Sequence, residues 1–301
     1  MSESIPPSEQ PQVVEVPPAA EVPAAVTPPE LNVWPSAVVL LVAFAGTIAG
    51  SVLALILVVA TNGGSLDGLR DMNALMANPV FLITALATTQ LSMLGAVRVL
   101  PRLLRDQPEG TWSARMRWDT SRFSAIDLLI TTLGTLATGT VASGLMALTP
   151  FESATLKAME SAARELSPAV FGLLLISGSV GAGFIEELTF RGMLQTRLVQ
   201  KHGSTVGILI TAAVFGVWHF DIVHSPIAMM LGLWLGWCAH RQQTIATVAL
   251  AHLLNNFTSF VLSRVTTGET EPPPLYGIAG GAVVLIVCAL LMHVRRPAAE
   301  G

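Results

Sequence analysis

The chain has 301 residues, of which 52% are hydrophobic and 12% charged, and its formal net charge is −4. A soluble domain carries about 25% charged residues, and mean hydropathy here is +0.63. An ordinary soluble domain is therefore excluded and no nucleic-acid partner is expected. The expected class is an all-α, polytopic membrane helix bundle whose solvent is the lipid bilayer, with roughly 20 apolar residues per span.

Residues 1–32 hold five glutamates, eight prolines and no lysine or arginine. Such a segment cannot bury a core, and a disordered acidic, Pro-rich tail is expected. It lacks a basic region followed by an apolar core, so no cleavable signal peptide is expected. Residues 33–296 then form the bundle, with apolar segments at 36–60, 78–100, 124–148, 168–190, 204–220, 222–240, 244–264 and 275–294. Asn62-Gly63-Gly64 closes the first, Pro79 opens the second and Pro150 follows the third. Pro168 opens the fourth, and Pro272, Pro273 and Pro274 precede the last. About eight transmembrane helices are expected, with the boundary near His219–Pro226 the least marked. Cys238 and Cys288 lie in separate apolar segments and read as buried, unpaired thiols.

Placing the first loop outside gives the cytoplasmic segments twelve lysines and arginines, including Arg191, Arg197 and Lys201. The external segments keep four: Arg70, Lys157, Arg164 and Arg264. The positive-inside rule then puts both termini in the cytoplasm of a cell (inner) membrane protein. GxxxG spacings at Gly46/Gly50, Gly232/Gly236 and Gly277/Gly281 are expected to bring helices of one bundle together.

Three polar clusters interrupt the apolar segments. The first is Glu186, Glu187 and Arg191. A carboxylate inside a bilayer costs about 2.5–3.5 kcal/mol even on lenient scales, so such a group must pair or do chemistry. Glu187 and Arg191 are i,i+4 in the favourable order. Glu186 points about 100° away round the helix, with no cation at i+3 or i+4. The second cluster is Phe215 and His219, which share a helix face, followed by Asp221. The third is His252 and Asn256, again i,i+4. At about 1.5 Å per residue, Glu186 lies roughly 20 Å from its cytoplasmic end, His219 roughly 21–23 Å, His252 roughly 12 Å and Asn256 roughly 18 Å. The clusters thus reach overlapping depths, and a carboxylate, two imidazoles and an amide are expected to converge in a buried polar cavity.

That set suits hydrolysis of an amide. A carboxylate deprotonates water, and an amide N–H donates to an oxyanion. Two neutral imidazoles, His219 and His252, are candidate ligands for a divalent metal such as zinc, although the spacing is not HExxH. Around them, Asn255 is expected to join helices, Asp221 to cap a turn, and Asp127 to complement a helix N-terminus. His202, His240 and His293 read as interfacial, and His224, in a short turn, has no assigned role.

Glu186-Glu187-xxx-Arg191, Phe215-xxx-His219 and His252-xxx-Asn256, in that order, resemble the motifs of the CPBP family, which comprises the CAAX prenyl proteases and bacteriocin-processing proteases, also called Abi or lysostaphin-resistance-like. The resemblance covers about residues 165–262. It implies an eight-helix intramembrane glutamate protease, often labelled a metalloprotease, acting on a peptide or protein substrate in the membrane. Glu186 would activate water, His219, His252 and Asn256 would complete the catalytic site, and Glu187 and Arg191 would support it. Two other classes fit the same polar residues. One is a non-catalytic membrane scaffold. The other is a proton-coupled transporter, which should show internal repeats; none is evident.

Overall fold

The computed structural model describes residues 31–66, 69, 74–75, 78–106, 111–266 and 273–296, and no strand occurs among them. The tail 1–32, apart from Leu31 and Asn32, and Arg70 lie outside the described residues.

The helices form where apolar runs meet capping chemistry. Helix α1 (Trp34–Thr61) starts with a proline in its first turn and ends at Asn62. Gly63 and Gly64 follow at φ of 66° and 88°, a region open to glycine at no steric cost. Helix α2 (Pro79–Leu103) is capped by Asn78, whose side chain accepts from the amides of Val80 and Phe81. Ser124 caps α3 (Ala125–Ala147) in the same way. A short amphipathic helix, α4 (Ala154–Glu165), follows. Then come α5 (Pro168–His202), α6 (Ser204–Val217), α7 (His224–Gln242), α8 (Ala246–Val265) and α9 (Pro274–Arg295).

Seven of the eight expected segments appear with both ends within three residues of the expected bounds. Two features differ. The segment expected to end at 190 runs on to His202, because no glycine or proline weakens it after Gly192 until Gly203, at φ 80°, turns the chain. Arg191 and Arg197 are therefore buried helix residues, 1% and 3% exposed, and not loop cations. The loop after α3 also contains α4, which is held to α8 by Arg264 Nη1 donating to the carbonyls of Ala163 and Leu166. Among the described residues five helices are long and apolar enough to cross a membrane: α1, α2, α3, α5 and α9. Helix α6, at 14 residues, is shorter than a span, whereas α7 and α8 have the length but are more polar.

Large apolar side chains face outward along α1 and α9, including Leu41, Ile48, Ile56, Val283, Ile286 and Leu290. Water would not tolerate so large an apolar surface, and with the five span-length helices it marks an integral membrane protein. Inside lie Phe190, Met193, Phe215, Leu235 and Cys238. Both cysteines are free and buried, as expected.

Each GxxxG pair meets another helix of the same chain. Gly46 and Gly50 receive Ser92 and Thr88 of an antiparallel α2. Gly277 and Gly281 lie against Thr140 and Val141 of α3. Gly232 and Gly236 leave their carbonyls open to α5. Arg191 Nη2 donates to Gly232 O (3.4 Å) and Gln195 Nε2 to Gly236 O (2.9 Å).

Candidate active site

The site is built on an unusual stretch of α5. From Ile176 to Glu186, and again from Leu188 to Gln195, the backbone is wound as a π-helix. Wide winding of this kind is rare and moves the usual i→i+4 bonds to i→i+5. Two neighbouring helices stabilise it by supplying donors to its carbonyls. Gln90 of α2 donates through Nε2 to Ser177 O, and Asn256 of α8 donates through Nδ2 to Gly178 O at 3.2 Å. Close approach to α8 depends on Gly183, where an added Cβ would lie 2.7 Å from the backbone nitrogen of Leu253. The sequence Ser177–Gly183 therefore carries small residues because two helices lean on its backbone.

Glu187, Arg191 and His252 form a buried chain. Arg191 Nη1 donates to Glu187 Oε1 at 2.8 Å, and both side chains are fully buried. The pairing expected at i,i+4 thus closes although the backbone is π-wound. His252 Nδ1 also lies 2.8 Å from Glu187 Oε1. A carboxylate with an arginine beside it accepts, so Nδ1 carries the proton. The opposite nitrogen, Nε2, then faces Glu186 Oε2 at 3.9 Å. Glu186 keeps 16% of its side chain exposed, whereas Glu187 keeps none. The two adjacent acids thus occupy different places, one sealed against an arginine and one partly exposed.

His219 sits just past the end of α6. Its Nδ1 is 2.8 Å from Phe215 O, and since a carbonyl only accepts, Nδ1 donates and Nε2 is left as an acceptor. Phe215 packs edge-on to both imidazoles, with ring centroids 5.0 Å from His219 and 6.0 Å from His252. It also carries the Arg191 guanidinium 4.4 Å above its ring. The expected sharing of a face by Phe215 and His219 is therefore realised, and Phe215 links the second cluster to the other two.

Asn256 is placed one turn beyond His252, where the i,i+4 spacing put it. One Nδ2 hydrogen is engaged by Gly178 O, and Oδ1 accepts from Asn255 Nδ2 at 3.2 Å. A second Nδ2 hydrogen remains for another acceptor. Asp221 caps the entry to α7, accepting from the amides of Val223 and His224 and from Ser153 Oγ. Asp127 does more than complement a helix end: its buried carboxylate pairs with Arg295 and Arg296.

Three residues of this region were not anticipated from sequence. Gln90 was legible only as a polar residue within an apolar span. His224 brings its ring centroid to 4.4 Å from that of His219, and the signal was a second histidine five residues on. The third, Gly183, had no chemical signal of its own.

The donor set was tested against the metal expected at His219 and His252. A catalytic zinc takes three protein ligands. Among the described residues no group of three His, Cys, Asp or Glu side chains is placed to hold such an ion.

Residues 168–258 match the family model described as Rce1-like, type II CAAX prenyl endopeptidase. The matched stretch runs from the first residue of α5 into α8 and contains all seven residues of the three clusters, Phe215 included. This stretch is similar to CPBP-family domains, and the match supports an intramembrane protease. No curated protein and no solved structure matches the chain.

Proposed function

We propose that this protein is an intramembrane endopeptidase that hydrolyses a peptide bond of a membrane-associated, prenyl- or leader-type substrate, with both termini in the cytoplasm. The observation that carries this reading is the 3.9 Å between Glu186 Oε2 and His252 Nε2. That gap is too long for a direct hydrogen bond, yet one water at about 2.8 Å from each reaches both. Both atoms are acceptors, so the water donates its two hydrogens to them and turns its lone pairs toward the substrate carbonyl.

Glu186 takes a proton from the water as its oxygen bonds to the carbonyl carbon. The negative charge that develops on the carbonyl oxygen receives the second Nδ2 hydrogen of Asn256. His219 Nε2 accepts from a substrate N–H and holds the peptide in register. Glu186 then returns the proton to the leaving nitrogen as the C–N bond breaks, leaving a carboxylic acid and an amine. Glu187 and Arg191 are positioning residues, because they hold the His252 ring and touch no reacting atom.

The test compares peptide termini in membrane fractions from cells expressing the wild type, Glu186→Gln or no copy. Termini present only with the wild type establish proteolysis and name the substrate. If no terminus depends on Glu186, the protease reading fails and a scaffold takes its place.

A further inference from the structure

A second polar site lies at the far end of α5. Arg197 stands eleven residues after Glu186. Its side chain is 4% exposed and is paired with Asp106, just past the end of α2. Together with Arg98, Arg102 and Arg115 these residues line a small, partly open recess. Four guanidinium groups therefore share one recess with a single acid among the described residues. Three buried donors on its lining residues have no acceptor among the described residues: Arg197 Nε, Arg115 Nε and the indole Nε1 of Trp112.

The recess is built and not a chance meeting of surface chains. Arg98 lies 4.3 Å over the Trp112 ring, and Arg102 Nη1 donates to Arg98 O at 2.6 Å. Arg197 Nη1 donates to Met193 O. Buried N–H groups left without acceptors are costly, and three in one recess beside excess positive charge call for an anion with several acceptor oxygens. Location narrows its source. The recess lies where two membrane spans end, α2 and α5, and Val97, Pro101 and Met116 form its apolar wall. Helix α5, at 35 residues, is well beyond the roughly 20 residues that cross a hydrocarbon core of about 30 Å, so its last turns stand at headgroup level.

We propose that this recess holds the phosphate of an anionic phospholipid headgroup. Arg115 and Arg197 supply the buried donors, Trp112 donates its indole N–H, and Arg98 and Arg102 close the outer side. The proposal does not depend on the protease reading, since none of these residues touches the Glu186 region.

The test is native mass spectrometry of the full-length protein in a neutral detergent, titrated with phosphatidylglycerol, phosphatidylcholine or inorganic phosphate. Phosphatidylglycerol is expected to bind more tightly than phosphatidylcholine, and inorganic phosphate to displace it only weakly. Near a membrane surface one arginine contributes about 1 kcal/mol, or roughly fivefold. Arg115→Gln should therefore weaken phosphatidylglycerol binding about fivefold and leave phosphatidylcholine unchanged. Arg98→Gln, on an exposed residue, gives the same reading should Arg115→Gln not fold. Equal binding of the two lipids overturns the proposal, as does a phosphatidylglycerol preference that both variants retain. Inorganic phosphate binding as tightly as the lipid overturns the lipid assignment in favour of a soluble anion.

Discussion

His252 Nδ1 and Glu187 Oε1 lie 2.8 Å apart, and this contact decides which nitrogen of the ring meets Glu186. The carboxylate also serves Arg191, so its removal has two effects. Glu187→Ala leaves a buried guanidinium without its counter-charge, a loss of about 3–5 kcal/mol, and frees the ring. We expect a lower thermal midpoint in detergent together with lost turnover. Glu187→Gln keeps a carbonyl acceptor for one of the two donors. It should retain more stability than Glu187→Ala while still losing activity.

Gly183 offers a test in which no polar group changes. A Cβ there meets the backbone of Leu253 at 2.7–2.8 Å, and backbone cannot move aside as a side chain tip can. Gly183→Ala should push α8 away from α5, shift His252 next to the contact, and cost about 1–3 kcal/mol. Gly172→Ala is the control, because nothing lies within 4 Å of its Cβ. It should be neutral or gain up to about 1 kcal/mol from helix propensity. Melting curves and turnover for the two variants check the contrast.

Gln90 touches the backbone of the site and not its reacting groups. Gln90→Met keeps the length and loses the donor to Ser177 O. Interhelical hydrogen bonds in membranes average about 0.6 kcal/mol, so the global stability should change little. Hydrogen exchange at residues 177–183 should nevertheless accelerate, and activity should fall as the π-wound segment loosens. Unchanged exchange there would mean that the winding does not need Gln90.

Asp127 joins the start of α3 to the end of α9 through Arg295 and Arg296. Its carboxylate is 1% exposed, whereas the arginines are 37% and 30% exposed. Losing one arginine leaves a partner, and Arg295→Gln or Arg296→Gln alone should be mild. The double variant strands a buried charge, at about 3–5 kcal/mol, so the two changes should be far from additive. A double variant that melts no lower than the sum of the singles would contradict this.

Much of the molecule was legible one-dimensionally. Apolar run lengths, bounded by Asn78-Pro79, Ser167-Pro168 or Gly63-Gly64, report on single helices, and local capping chemistry marks their ends. The Glu187–Arg191 pair was legible for the same reason, since partners four residues apart need no other helix. The end of α5 was misplaced because Arg197 looks like a loop cation until its partner is known, and because the second contact of Arg191 lies on another helix. Those partners, Gly232 O and Asp106, lie 41 and 91 residues away.

By itself the sequence determined the all-α membrane bundle, most of the helix bounds and the seven residues of the three clusters, because each depends on composition or on spacing within one segment. Tertiary structure alone decided that α5 winds as a π-helix under Gln90 and Asn256, and that Glu187 holds His252 while Glu186 stays open. It also decided that Arg197 faces Asp106 in a basic recess. These outcomes depend on the register of one helix against another. That register is set by contacts such as Gly183 on Leu253, between residues 70 apart in the chain, and no local pattern encodes it.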